Sequence, residues 1–298
     1  MISHKHLRTA IEDYCLSESK ELLVRVKNEL RYSHLYIPSR IEDGKRVFDI
    51  YGEGSLKLTP LFTDLEELEM FYGEEDIEAF SSSFELYRNV LKTTDIEGYV
   101  LNPASEKYIL EKDLILSITD IPKTTYVSTD PYSQHELRQM VESKNPELEK
   151  FLAEKRHVGN YEGLFDMMSS SDMLALMISH DDLSSFFKNG TLDMRLSGPV
   201  ASMYTDEVGG SYAALFSSRQ KMAEVKTQGY KYVQVINLSM LVNFVLTQDM
   251  DGIVLNPSTD DVLIPRQMLL SYSLGFERFA DDERLSESMY YIFNHDNF

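Results

Sequence analysis

Two hydrophobic periods alternate along this chain. In ESKELLVRVKNEL, Leu23, Val26 and Leu30 recur at helical spacing and share one face, and HLRTAIEDY before it reads as a further helix. HLYIP (34–38) then reads as a strand. FDIYGEGSLKLTPLF reads as a hairpin, with Gly52-Glu53-Gly54 as turn chemistry between alternating residues. The spacing next predicts a helix over TDLEELEMFYG, capped by Thr63 or Asp64, a strand over IEAFS and a helix over FELYRNVLKTT. The strand GYVLNP, the short strand KYIL and a last helix start follow.

The second half repeats that order. SQHE (Ser133 to Glu136) has the form of a capping box, and Asn145-Pro146 reads as N-cap and first helical position ahead of ELEKFLAEK. NYEGLFDMM is a short helix and MLALMIS (173–179) a strand. TLDMRLSGPVASMYTDEVGGSYAALF is hairpin-like, and SSRQKMAEVKTQG is a helix that Ser217 or Ser218 can cap. YKYVQVI, LSMLVNFVLTQ, GIVLNP and DVLI complete the series as strand, helix, strand and strand.

Laid on itself with an offset of 154 and no gap, Leu61–Pro103 falls on Leu215–Pro257 with ten identities in 43 residues. They include Asn89 on Asn243, Asp95 on Asp249, Gly98 on Gly252, Asn102 on Asn256 and Pro103 on Pro257. This reads as a duplication. Gly98 and Gly252 are placed where positive φ would be wanted. Asn102 and Asn256 precede proline, which pushes a residue towards extended backbone, and their side chains could close an Asx turn. The first domain is read as 1–122 and the second as 132–298, with the boundary in the Pro, Ser and Thr-rich ITDIPKTTYVSTDPYS. In the tail, Met289, Tyr290, Tyr291 and Phe293 are expected to pack. The fold class is α/β, two domains in tandem, each a mixed sheet flanked by helices.

Composition narrows the function classes. The 298 residues are 43% hydrophobic, enough for a core in each domain. No apolar run approaches membrane-spanning length, and the polar start MISHKHLRTAIEDYC lacks a signal peptide's apolar stretch. The expectation is a soluble, cytoplasmic protein. The net charge of −20 disfavours nucleic acid and acidic lipid and favours a partner with a basic face. The one cysteine, Cys15, excludes an internal disulfide and reads as a small apolar residue packed in a helix.

LYIP, PLFTDLEEL, GYVLNP and KYILEKDLI, in that order, resemble the SseB N-terminal domain family of bacterial proteins. NPELEKFLAE, ALFSS, DGIVLNP and VLIPRQML resemble it again in the second half. The resemblance implies a small α/β domain in tandem and brings no catalytic set. The family name is shared with a component of type III secretion, which makes a secretion-associated role one alternative.

No motif carries chemistry far. HELRQ (His135–Gln139) has Gln139 where a zinc-protease helix needs its second histidine. GGSYA (Gly209–Ala213) precedes a strand instead of following one, so it reads as a turn and not a nucleophile elbow. TQDMDGIVLNPS puts Ser258 where a calcium loop needs a bidentate glutamate. SHDD (Ser179–Asp182) sets His180 beside two carboxylates and reads as a solvated turn. No metal or cofactor is expected.

One contrast stands out. Asp64–Glu78 holds eight acids (Asp64, Glu66, Glu67, Glu69, Glu74, Glu75, Asp76 and Glu78) and no base. Its repeat counterpart, Ser218–Tyr232, holds Arg219, Lys221, Lys226 and Lys231 against Glu224 alone. Faces of opposite sign can meet between domains or between molecules. The reading is a non-enzymatic adaptor or scaffold whose partner is another protein or a second copy of itself. The alternative is a ligand-binding protein or enzyme with a site between the domains.

Overall fold

The computed structural model describes residues 4–42, 45–53, 56–73, 77–119, 144–179, 187–188, 191–192, 200–201, 203–205, 209–225, 230–236, 238–273 and 289–292. Glu74, Glu75, Asp76, Lys226, His180, Phe293, SQHE, HELRQ and most of the boundary stretch lie outside them. The chain divides into two compact units, residues 1–123 with 247–249 and residues 124–246 with 250–298. The architecture is mixed α/β.

In the first unit, α1 (Lys5–Ser17) and α2 (Lys20–Tyr32) precede β1 (His34–Glu42). The Ser19 hydroxyl caps α2 by accepting from Leu22 N. β2 (Lys45–Phe48) folds back on β1, and β3 (Tyr51–Glu53) pairs antiparallel with β4 (Leu56–Leu61). α3 (Leu65–Tyr72) follows, capped by Asp64, which accepts from Glu67 N at 3.0 Å. Then come β5 (Glu78–Ser83), α4 (Phe84–Thr93), β6 (Gly98–Leu101), β7 (Tyr108–Glu111) and α5 (Lys112–Leu116). β6 lies parallel to β4 and antiparallel to β7, and β5 is antiparallel to β1. Backbone bonds between Tyr36 and Phe62, at 2.8 and 3.0 Å, join the two sheets.

Apolar residues of α1, α2, α4, β1, β4 and β6 meet in one core. Leu7, Leu30, Ile37, Tyr87, Tyr99 and Leu101 are buried there. Burying side chains of this size contributes about 1.5–3 kcal/mol each. The two tyrosines carry polar tips, and both are satisfied. Tyr87 Oη reaches Leu30 O at 2.8 Å, and Tyr99 Oη reaches Tyr87 O at 2.5 Å. A second cluster, Phe62, Leu68 and Tyr72 with Phe71 against them, seats α3.

The second unit runs α6 (Pro146–Ala153), α7 (Tyr161–Ser169), β8 (Met173–Ser179), β9 (Phe187–Lys188), β10 (Thr191–Leu192), β11 (Val200–Ala201), β12 (Met203–Thr205) and β13 (Ser211–Phe216). It continues with α8 (Arg219–Ala223), β14 (Tyr230–Ile236), α9 (Leu238–Thr247), β15 (Gly252–Leu255), β16 (Val262–Pro265), α10 (Arg266–Ser273) and β17 (Met289–Ile292). Its main sheet has the order β16-β15-β13-β8-β14-β17, and β13 with β15 is its parallel pair. The tail segment Met289–Ile292 is thus a strand, paired with β14. Leu174, Phe216, Met222 and Val233 form its core with their neighbours.

Three expectations need correcting. Gly98 does not take a left-handed backbone. It is the first residue of β6, and a Cβ there would sit 2.6 Å from Leu110 O, so close approach of β7 demands the glycine. At Gly252, with φ at 155°, the Cβ would sit 2.2 Å from Ile264 O. Asn102 and Asn256 are not extended ahead of their prolines, since φ is 47° and 53°. Cys15 is exposed, because the last turn of α1 runs past the core that holds Leu7, Ala10 and Ile11.

Candidate functional site

At the carboxyl end of each parallel strand pair lies a polar cluster built around the Asn-Pro turn. In the first unit Asn102 is fully buried. Its Oδ1 accepts from Thr63 N at 3.0 Å. A backbone N–H can only donate, so the amide orientation is fixed by chemistry. Nδ2 donates to Thr63 Oγ1 and to Glu106 Oε2, both at 3.0 Å. The side chain therefore ties the end of β4 to the turn after β6, where an Asx turn within its own loop was expected. Its backbone does close the loop, since Asn102 O accepts from Ser105 N and Lys107 N. The left-handed φ that allows this suits Asn better than most residues.

Around that amide sit the charges. Glu67, the third residue of α3, is buried, with Ser105 Oγ 2.6 Å from its Oε2. Ser105 Oγ lies equally close to Glu106 Oε2. Arg8 of α1 reaches both carboxylates, Glu67 at 3.5 Å and Glu106 in a closer pair. Helix α1 is thereby fastened to α3 and to the turn.

The second unit repeats the amide bonds of Asn102 154 positions later. Asn256 Oδ1 accepts from Ser217 N at 2.8 Å, and Nδ2 donates to Ser217 Oγ at 2.8 Å and Asp260 Oδ2 at 2.7 Å. Lys221 of α8 pairs with Glu149 of α6 at 2.6 Å and with Asp260. Burial pulls the Lys221 ammonium down, but its bonds and charge attraction to Asp260 and Glu149 together outweigh this and hold it above the ordinary lysine range. Ser217 Oγ donates to Glu149 and accepts from Asn256 Nδ2, and the N-cap of α8 is Ser218, whose side chain makes no cap bond.

The opposite end of each pair is pinned alike. Glu97 accepts from Lys57 N at 2.9 Å, and Asp251 from Ser211 N at 2.7 Å. Lys112 Nζ donates to Thr94 O and Ile96 O. Arg266 donates to Val245 O, Leu246 O and Met250 O. The parallel registers also agree, Leu58 with Gly98 in one unit and Tyr212 with Gly252 in the other.

The residues singled out in the sequence thus separate. Asp64 is a buried cap; Glu67 and Lys221 point into the clusters. Glu66 and Glu69 are exposed on α3, beside Met70, which is 63% exposed. Arg219 is half-buried, and Lys231 lies in β14. Arg8, Ser105, Glu106, Glu149 and Asp260 belong to the clusters and were not foreseen. A signal existed for part of this. At the same offset Glu106 falls on Asp260, Glu97 on Asp251 and Lys112 on Arg266, conservative pairs that a count of identities passes over.

Chemically, each cluster works as a clamp. Both N–H groups and the oxygen of Asn102 are spent on neighbours within the unit, and so are those of Asn256. Among the described residues no group of three or more His, Cys, Asp or Glu could hold a metal ion, and no helix is long and apolar enough to cross a membrane. No protein-family model, curated protein or solved structure matches the chain.

Proposed function

We propose that this chain is a tandem of two SseB-like domains that serves as a non-enzymatic adaptor, and that helix α3 of the first domain is the face it offers a basic protein partner. The observation that carries the reading is the outer row of α3. Glu66, Glu69 and Met70 are exposed together, spaced so that one helix side presents them. A methionine flanked by carboxylates joins an adaptable apolar contact to charge that steers a basic surface inward. At the corresponding positions the second unit exposes Gln220 and Ala223 of α8 and Glu224 just after it. The acidic row is a property of one unit and not of the repeated scaffold.

Duplication is supported by the recurrence of the Asn-Pro turn, its amide bonds, the pinning residues and the parallel register at one constant offset. The SseB-like reading rests on the order of LYIP, PLFTDLEEL and GYVLNP. The test is affinity capture at low and moderate salt, with the wild type beside a Glu66→Lys, Glu69→Lys variant. The expected result is a protein retained by the wild type at low salt, weakened by salt and lost from the variant. Equal capture by both would overturn the assignment of the face, and no capture under any condition would overturn the adaptor reading.

A further inference from the structure

Each unit holds the first helix of its described residues with the same three-point charge clasp, but the polarity of the helix contact is reversed. The helices correspond closely. α1 starts after His4 and α6 after Asn145, and both cap residues are left-handed, with φ of 49° and 39°. Each cap side chain bonds a carbonyl at the start of the strand two elements on. His4 Nε2 lies 2.7 Å from His34 O, and Asn145 Nδ2 lies 2.8 Å from Asp172 O. Leu7, Ala10 and Ile11 are buried on one helix, and Leu148, Phe151 and Leu152 at the same spacing on the other. The residue four beyond the cap is Arg8 in the first case and Glu149 in the second.

Those two residues meet opposite charges. Arg8 faces Glu67 and Glu106; Glu149 faces Lys221, which also holds Asp260. Each clasp therefore has one cation and two acids, and only the element that supplies the cation has changed. Had one position drifted alone, a clasp would hold three acids or two cations. Both positions differ in sign between the units. The side chains are 8–31% exposed, so solvent screens them only in part.

We propose that this inversion is a pairing code that keeps α1 and α6 each on its own core. Two helices with the same cap geometry and the same apolar stripe compete for two similar cores. α1 on the second core would set Arg8 against Lys221. α6 on the first core would gather Glu149, Glu67 and Glu106, three carboxylates with no cation. Specificity here comes from the penalty on the wrong pairing as much as from the gain on the right one.

The test uses the full chain and exchanges the code in steps. Arg8→Glu with Glu149→Arg reverses both helices only. Adding Glu67→Lys and Lys221→Glu reverses both cores as well. The helix-only variant is expected to show a lowered urea midpoint and an altered molar mass by light scattering as helices pair with the wrong core within or between molecules. The four-fold variant is expected to return to the wild-type molar mass and to recover more than half of the lost midpoint. Should the helix-only variant fail to fold, the four-fold variant still decides, because it is expected to fold. A four-fold variant no better than the helix-only one, or a helix-only variant with the wild-type midpoint and mass, would overturn the proposal.

Discussion

Asn102 and Asn256 each join two strand ends through one amide, and the residue type is set by two independent demands. The backbone needs a residue that accepts positive φ, and a buried N–H (Thr63 or Ser217) needs an acceptor. Alanine fails both. Asn102→Ala is expected to cost about 3 kcal/mol, from an orphaned buried donor and the left-handed backbone. Asn102→Gly keeps the backbone and loses only the bonds, so it is expected to cost about 1 kcal/mol less. Urea unfolding of the two variants separates these terms, and equal losses would mean the φ argument is wrong. Lys221 makes a second residue-scale prediction. Its folded value lies above the unfolded lysine value of 10.5. The contribution is fully present below 10.5 and is lost as pH rises through the higher folded value. A pH series of melting temperatures should show an alkaline loss that Lys221→Arg shifts upward, since arginine stays charged.

At the scale of elements, the strands and helices were legible because their periods are strong. HLYIP and MLALMIS lie wholly in strands, as do EAFS of IEAFS and GYVL of GYVLNP, and the helix over TDLEELEMFYG carries the Asp64 cap that its sequence offers. The turn was legible as a turn. Its workings were not, because Asn102 bonds a residue 39 positions away, and local sequence does not tell which distant donor an amide will meet. Gly98 was located and misexplained, since a requirement for close approach reads the same in sequence as a requirement for positive φ, whereas Gly252 meets both requirements. The clasps were illegible for a different reason. The cap residues His4 and Asn145 lie 141 positions apart, so the offset of 154 that aligns the Asn-Pro turns never sets Arg8 against Glu149. Inverted charge then hides the match even where the offset holds, as at Glu67 and Lys221. The contrast between acidic and basic helices was visible. Part of it faces inward, where Lys221 answers Glu149 and Asp260 within its own unit.

At the scale of the whole molecule, the net charge of −20 sets a long-range field that draws basic partners and repels polyanions. In the proposed function, the acidic row of α3 is the face to which that field brings a partner. The most direct measurement places a photo-crosslinking residue at position 70, and in a second sample at the corresponding position 224, in the full chain within living cells. The account predicts a discrete adduct with a basic protein from position 70, none from 224, and loss of the adduct when Glu66→Lys and Glu69→Lys are added. Equal adducts from both positions, or an adduct indifferent to those two charges, would contradict it.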